Sequence, residues 1–168
     1  MKVSVVIPAF NEEKYISRCL ESLMQQQEAA DEIIVVDNNS TDNTAKIAGK
    51  FGVRVIGEKR QGMTPARNAG FDAARHEIIA KADADNTLPP YWVKKIKSNF
   101  SGRKIDALTG PIIFGDFPLK TVSLSQLYSR LVKLIVGSEV LLGMNYMLTK
   151  RIWEKVKPGI CWDDKLVH

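Results

Sequence analysis

Short runs of β-branched and other apolar residues recur along the first hundred residues, and a segment with helical spacing follows each run. The four runs are residues 2–7, 32–36, 53–56 and 77–80. Strands that read as continuous apolar runs are typical of a parallel sheet that is covered on both faces. The sequence therefore predicts an α/β fold, with a Rossmann-like, mostly parallel sheet and helices on both of its faces.

Turn and cap residues predict where the intervening helices begin. Asn11 is the expected N-cap of the first helix, and Ser40 or Thr41 is the expected N-cap of the second. Thr64, followed by Pro65 at the first helical position, should open a third helix. A mobile loop is expected at 57–63, a fourth helix at 90–100, and one or two further strands at 106–114.

Polar side chains follow three of the four predicted strands. They are Asn11 and Glu12 after the first strand, Asp37 and Asn38 after the second, and Asp83 and Asp85, in the segment KADADN, after the fourth. The carboxyl ends of parallel strands meet at one edge of a sheet, where ligands bind in folds of this kind. This convergence favours a ligand site over an acidic turn that alternates by chance.

The two aspartates of KADADN are the clearest candidate for a metal site. Asp83 and Asp85 are two residues apart, so in extended chain they point to the same side and repel unless a cation lies between them. The first strand-to-helix turn, PAFNEE, lacks the glycines of a dinucleotide-binding loop, and no GxxxxGK[ST] motif is present. A diphosphate bound here would need a metal ion, together with Arg or Lys, to balance its charge.

The composition indicates one globular domain and leaves several ligand classes open. The 168 residues are 45% hydrophobic and 26% charged, with a net charge of +5. A basic chain suits a phosphate-bearing ligand, an anionic membrane surface or nucleic acid, but the scattered Lys and Arg make nucleic acid the least favoured partner. Cys19 and Cys161 are expected to be reduced thiols. No signal peptide or apolar run of membrane-spanning length is visible, so the expected location is the cytoplasm.

Four blocks of sequence resemble family-two glycosyltransferases in their order and spacing. The blocks are VSVVIPAFNEE, EIIVVDNNSTDNT, GMTPARNAGFDAA and IIAKADADNTLPPYWV. The resemblance implies a single GT-A domain over 1–168, with a nucleotide-sugar-binding half at 1–110 and an acceptor-side half at 111–168. It also implies transfer of a sugar from a UDP- or GDP-linked donor, with inversion of configuration at the sugar carbon.

The resemblance assigns expected roles to single residues of the first half. The predicted contacts with the nucleotide sugar come from Pro8, Ala9, Glu12, Asp37, Asn38, Arg67 and Asp83, and Asp85 is the predicted ligand of Mg²⁺ or Mn²⁺. Many members of the family have a second acid where this chain has Asn38. Because an amide both donates and accepts hydrogen bonds, the base preference stays open between UDP and GDP.

An inverting transfer also needs a base that takes the acceptor's proton. The segment WDDKL, at 162–166, resembles the acidic pair that supplies this base in the family. One alignment selects Asp163 and another selects Asp164, which is slightly preferred; a solvated acidic turn is the plain alternative. The chain ends four residues after Asp164, whereas relatives continue, so the acceptor half is expected to be truncated or naturally short.

The acceptor and two other functions remain open at this point. The acceptor can be a glycan, a lipid-linked compound or a small molecule. An amphipathic helix predicted at 122–137 more often packs on the core, with peripheral contact at the cytoplasmic membrane surface as the alternative. A non-catalytic nucleotide-sugar-binding domain is one other function. A sugar-phosphate nucleotidyltransferase is less favoured, because its Gly-rich N-terminal loop is absent.

Overall fold

The computed structural model describes residues 1–102, 104–109 and 145–157. The described strands are β1 (Val3–Ala9), β2 (Glu32–Asp37), β3 (Arg54–Gly57), β4 (Ile78–Lys81), β5 (Ala107–Thr109) and β6 (Tyr146–Thr149). The described helices are α1 (Ile16–Met24), α2 (Thr44–Gly49), α3 (Met63–Ala73), α4 (Trp92–Gly102) and α5 (Lys150–Val156). Within these ranges, no helix is long and apolar enough to cross a membrane. The helix predicted at 122–137, the strand prediction beyond residue 109, and both Asp163 and Asp164 lie outside the described residues.

The strands form one six-stranded sheet in the order β3-β2-β1-β4-β6-β5. The first four strands of the chain pair in parallel, and β6 pairs antiparallel with both β4 and β5. The prediction of a mostly parallel α/β sheet is confirmed. Since β2, β1 and β4 are neighbours, their carboxyl ends are adjacent at one edge of the sheet, which we call the carboxyl edge.

The two faces of the sheet are covered by different helices. Alternate residues of a strand point to opposite faces, so Val5 and Val6 of β1 belong to different core clusters. The cluster around Val5 contains the buried residues of α1, α2 and α4, whereas the cluster around Val6 contains those of α3 and α5. Helices therefore lie on both faces, as the apolar runs predicted.

Helix α3 approaches the sheet unusually closely at Gly70. A Cβ atom at Gly70 would lie 2.3 Å from Cγ1 of Val6 and 2.8 Å from Cγ2 of Val36. Only a residue without a side chain fits there, because these distances are shorter than any normal carbon–carbon contact. The close contact brings the first turns of α3, which include Arg67, against the sheet.

The predicted helix starts were wrong by two to four residues. Helix α1 begins at Ile16 rather than just after Asn11, and α2 begins at Thr44 rather than after Ser40 or Thr41. The side chains of Asn11, Ser40 and Thr41 hydrogen-bond across the two loops instead of capping helices. Thr64 lies inside α3, whose preceding residue is Gly62. Strand β1 also continues past Ile7 to Ala9, through Pro8.

Candidate active site

The loops that follow β1 and β2 are joined to each other at the carboxyl edge. We call residues 10–15 and 38–43 the interlocked loops. The amide N of Asn11 donates to Oγ of Ser40 at 3.1 Å, and the amide N of Thr41 donates to Oδ1 of Asn11 at 2.8 Å. Further bonds join Glu12 to Thr44, and Glu13 to Asp42 and Asn43. Asn11 and Asn39 have positive φ angles of 56° and 65°, a conformation that Asn tolerates better than most residues. The two loops therefore form one unit beside the strand ends.

Glu12 lies next to the other carboxylates of this edge. Burial raises the pKa of its carboxyl above the ordinary value. The negative charges of Asp85, Asp42 and Asp83 raise this pKa further. Residues that follow β1, β2 and β4 are thus close enough to interact electrostatically, as the convergence of strand ends predicted.

Asp37 ends β2 with one carboxylate oxygen unused. Its Oδ1 atom is buried and has no hydrogen-bond partner among the described residues. Buried polar atoms are nearly always paired, so this unpaired oxygen at the end of β2 marks a place where a hydrogen-bond donor of a ligand can bind. Pro8 and Ala9 pair with Val36 and Asp37 in the adjacent strand and so lie at the same level of the sheet.

Asn38 is buried and holds the loop between β3 and α3. Its Nδ2 donates to the carbonyl oxygens of Glu58, at 3.0 Å, and Arg60, at 2.7 Å. Its Oδ1 accepts from the amide N of Gly62 at 2.7 Å. Sequence reasoning missed this bracing role, since nothing in the local pattern links residue 38 to residues 58–62. A contact between Asn38 and a nucleotide base stays a prediction.

The two aspartates of KADADN have different surroundings. Asp83 is 20% exposed and forms an ion pair with the ammonium of Lys81, whereas Asp85 is exposed. Burial raises the pKa of Asp83, Lys81 opposes this shift, and the charge of Asp85 adds to it. The backbone around them is also held, because Nη2 of Arg18 donates to the carbonyl oxygen of Asp85 at 3.2 Å.

Arg67 brings a cation from α3 to the same place. Its Nη2 and Nε donate to Oδ1 of Asn68 at 2.8 and 3.0 Å. Burial raises the pKa of Tyr146, the first residue of β6, while adjacent Arg67 opposes the shift and Asp83 adds to it. Tyr146 is thus within electrostatic range of both Arg67 and Asp83. The structure therefore gathers Glu12, Asp37, Arg67, Asp83 and Asp85 at the carboxyl edge.

No group of three or more His, Cys, Asp or Glu residues forms a ready-made metal cage within the described ranges. Asp85 offers exposed carboxylate oxygens, which suit Mg²⁺ or Mn²⁺, and both ions commonly complete their coordination with substrate phosphates. The donor set present here thus fits a hard cation that shares its coordination with a phosphate-bearing ligand. Asp163 and Asp164, the candidate bases, lie outside the described residues.

A surface cavity of about 420 Å³ lies at the opposite edge of the sheet. Its lining includes Arg75, His76, Lys150 and Arg151. Two of these side chains already pair with carboxylates, Arg75 with Glu32 and Arg151 with Asp106. The carboxyl edge, which holds the unpaired Oδ1 of Asp37 and the neighbouring carboxylates of Glu12, Asp83 and Asp85, remains the candidate site.

A family model described as Glycosyl transferase family 2 matches residues 4–161. The chain belongs to this family, as the four sequence blocks indicated, and its sheet is that of a GT-A fold. Glycosyltransferase AglE of Haloferax volcanii is 33% identical over 120 residues, which are 67% of this chain and 40% of AglE. The uncharacterized glycosyltransferase alr2836 of Nostoc is 35% identical over 106 residues, which are 60% of this chain and 33% of that protein. The chain thus spans less than half the length of these curated relatives.

Solved structures share the same fold. TarS of S. aureus matches 94% of this chain with a TM-score of 0.78 and 23% identity, and the match covers 49% of the TarS chain. Glucosyl-3-phosphoglycerate synthase from Mycobacterium tuberculosis, in complex with Mn²⁺, UDP and glucosyl-3-phosphoglycerate, matches 90% of this chain with a TM-score of 0.70 and 23% identity. That match covers 57% of the synthase. These similarities confirm the predicted GT-A architecture.

Proposed function

We propose that this chain forms the donor-binding part of an inverting glycosyltransferase that uses a nucleoside-diphosphate sugar and a divalent metal ion. The observation that carries the proposal is the gathering of Asp37, Asp83, Asp85 and Arg67 at the carboxyl edge of a family-two chain. Carboxylates suit a ribose and a hard cation, and the guanidinium suits a phosphate or a base. The carboxyl edge thus offers a partner for each part of such a donor.

Each residue has a specific role in this proposal. The unpaired Oδ1 of Asp37 accepts a hydrogen bond from the base or the ribose. Asp83, held by Lys81, binds the ribose, and the exposed carboxylate of Asp85 binds the metal ion. Pro8, Ala9 and Glu12 border the nucleoside, and Arg67 faces the base or the phosphates.

The chemistry is a single displacement at the sugar carbon. An acceptor oxygen attacks this carbon, the bond to the diphosphate breaks, and the bonding electrons leave with the diphosphate. A divalent cation bound here would stabilise the extra negative charge of the departing group. Asp164, or else Asp163, takes the acceptor's proton in this proposal.

The proposed nucleotide is UDP, with GDP as the alternative. Support comes from glucosyl-3-phosphoglycerate synthase, one structure of which contains Mn²⁺, UDP-glucose and phosphoglyceric acid and is 25% identical to this chain. Mn²⁺ and Mg²⁺ both fit the oxygen donors described. The acceptor is proposed only by class, as a glycan, a lipid-linked compound or a small molecule.

Thermal unfolding with UDP, GDP and their sugar conjugates, with and without Mn²⁺, tests the donor site. A ligand at about a hundred times its dissociation constant adds about 2.7 kcal/mol of stability. For a chain of this size, we expect the midpoint to rise by about 5–10 °C with one nucleotide and Mn²⁺. Asp85→Ala should abolish the Mn²⁺-dependent part, because it removes the proposed metal ligand.

The matched control is Glu154→Ala, which removes an exposed carboxylate at the opposite edge of the sheet and should respond like the wild type. Absence of any shift in a cooperatively unfolding wild-type chain would contradict the donor site. Binding of UDP without transfer or hydrolysis of a UDP-sugar would instead favour a non-catalytic nucleotide-sugar-binding domain.

A further inference from the structure

Lys81 is a buried cation directly beneath the candidate site. It is the last residue of β4, and its side chain is 2% exposed. Removing an ammonium from water is costly unless a close partner offsets the loss. Asp83, two residues later on the same side of the chain, is such a partner through its Oδ1 atom.

The surroundings of Lys81 hold its ammonium in place. The parallel register pairs Lys81 with Val6, whose side chain belongs to the core cluster under α3 and α5. Continuing the antiparallel register of β4 and β6 by one residue places Lys81 opposite Tyr146, which belongs to the same cluster. Because the Lys81 side chain is only 2% exposed, its ammonium group lies inside the protein, beneath the site and beside Asp83.

The ion pair of Lys81 with Asp83 changes the net charge at the site where a ligand would bind. With Lys81 paired to Asp83, the two aspartates and the lysine together carry one negative charge rather than two. A free divalent cation is therefore attracted less strongly than the motif alone suggests, whereas a diphosphate is repelled less. The carboxylate of Asp83 also keeps one oxygen turned inward, which fixes its orientation towards a ligand.

We propose that Lys81 is a positioning residue that holds Asp83 and suppresses binding of the free metal ion, so that the metal binds together with the nucleotide. This inference rests on the proposed donor site. It predicts that nucleotide binding survives, weakened, when the metal is removed.

The test compares wild type with Lys81→Gln and Lys81→Arg. Gln keeps a hydrogen-bond donor near Asp83 but removes the charge, and Arg keeps the charge. Binding of Mn²⁺ alone is measured from the electron paramagnetic resonance signal of the free ion, and binding of UDP is measured by calorimetry in EDTA. In Lys81→Gln we expect Mn²⁺ alone to bind about tenfold more tightly and UDP in EDTA to bind about fivefold more weakly. Lys81→Arg should restore both affinities towards wild type.

A merely structural lysine would not move the two affinities in opposite directions. A folded Lys81→Gln in which both affinities fall together, or neither changes, would overturn the proposal. So would a Lys81→Gln chain that fails to fold while Lys81→Arg folds, since the charge would then serve stability alone. Failure of the wild type to bind UDP, with or without Mn²⁺, would contradict the proposed donor site itself. Wild-type binding with unchanged variants would reject only the role of Lys81.

Discussion

Two single residues, Gly70 and Asn38, support the fold through a missing Cβ atom and through an amide group, respectively. Gly70 matters because it lacks a Cβ, and Asn38 matters because its amide group has both a donor and an acceptor. Neither role depends on burying apolar surface. Substitutions at these positions should therefore destabilise the fold by more than the change in side-chain volume suggests.

Gly70→Ala should lower the free energy of unfolding by about 1–3 kcal/mol, because the new methyl group collides with Val6 and Val36. Urea unfolding measures this change. Gly49→Ala is the matched control, since Gly49 also lies in a helix, is exposed, and has nothing within 4 Å of a built Cβ. That control should raise stability by up to about 1 kcal/mol. Equal effects at the two positions would contradict the close packing of α3.

Asn38→Asp should destabilise the chain although the side chain keeps its size. A carboxylate cannot donate to the carbonyl oxygens of Glu58 and Arg60, and its charge would face both of them. We expect a loss of about 2–3 kcal/mol and faster amide exchange at 58–62. Hydrogen exchange read by mass spectrometry checks the second expectation. Unchanged exchange at 58–62 would show that Asn38 does not hold this loop.

At the scale of secondary-structure elements, Glu32 connects three separate parts of the fold. Its carboxylate accepts from Oγ of Ser4 in β1 at 2.7 Å and from Nη1 of Arg54 in β3 at 3.1 Å. It also accepts from the amide N of Arg75, just after α3, at 2.9 Å. One side chain at the start of β2 thus joins two neighbouring strands and the end of a helix.

Lowering the pH should reduce the stability of the folded protein, in part because Glu32 becomes protonated. Burial alone would raise the pKa of its carboxyl, but the bonds from Ser4, Arg75 and Arg54 prevail and hold this pKa below its ordinary value of 4.5. A lowered folded-state pKa contributes stability above pH 4.5, and the contribution is lost as the pH falls through the folded pKa. Glu32→Gln should therefore cost stability at pH 7, and this cost should shrink as the pH falls below 4.5, as measured by urea unfolding over a pH series. A cost that stays constant over the whole series would show that ionisation of Glu32 plays no part.

Across the molecule, the two edges of the sheet carry charge in different ways. At the amino-terminal edge, the carboxylate of Glu32 is paired with arginines. At the carboxyl edge, Glu12, Asp83 and Asp85 lie near one another, and the pKa values of Glu12 and Asp83 are raised by burial and by neighbouring carboxylates. Functional sites commonly hold such unfavourable charge in the absence of ligand.

Asp85→Asn should raise the melting temperature of the ligand-free chain by about 1–2 °C at pH 7, because it relieves repulsion at Glu12 and Asp83. A raised carboxyl pKa costs stability as the pH rises above the ordinary values of 3.8 and 4.5, so the gain should vanish towards pH 3. It should also shrink in high salt, which screens exposed charges. Calorimetry checks each point. A gain that persists at pH 3 would point to a cause other than charge.

The sequence predicted the sheet well because its strands are continuous apolar runs and its helices have a clear apolar face. It also predicted the meeting of Asp37, Asp83 and Arg67, since parallel topology places the two aspartates at one edge and the family resemblance adds Arg67. The helix starts were predicted poorly. Asn11 and Thr41 have the chemistry of caps, and local pattern cannot show that they bond to each other across 30 positions.

The buried ion pair of Lys81 and Asp83 was missed for a related reason. Their spacing of two residues was visible, and it could have suggested a shared side of the strand. Whether a lysine at a strand end is solvated or enclosed depends on residues that the chain brings from far away. Here those residues are Val6 and Tyr146.

The interlocked loops limit how segments of this edge can be exchanged between relatives. The amide N of Asn11 donates a hydrogen bond to the Ser40 hydroxyl, and the amide N of Glu12 donates one to the Thr44 hydroxyl. The conformation of each segment therefore depends on side chains of the other. A chimaera that imports only residues 10–15 would arrive without its matching partners. Chimaeras between family members should therefore fold when residues 10–15 and 38–44 are exchanged together. They should fail to fold when these two segments come from different parents.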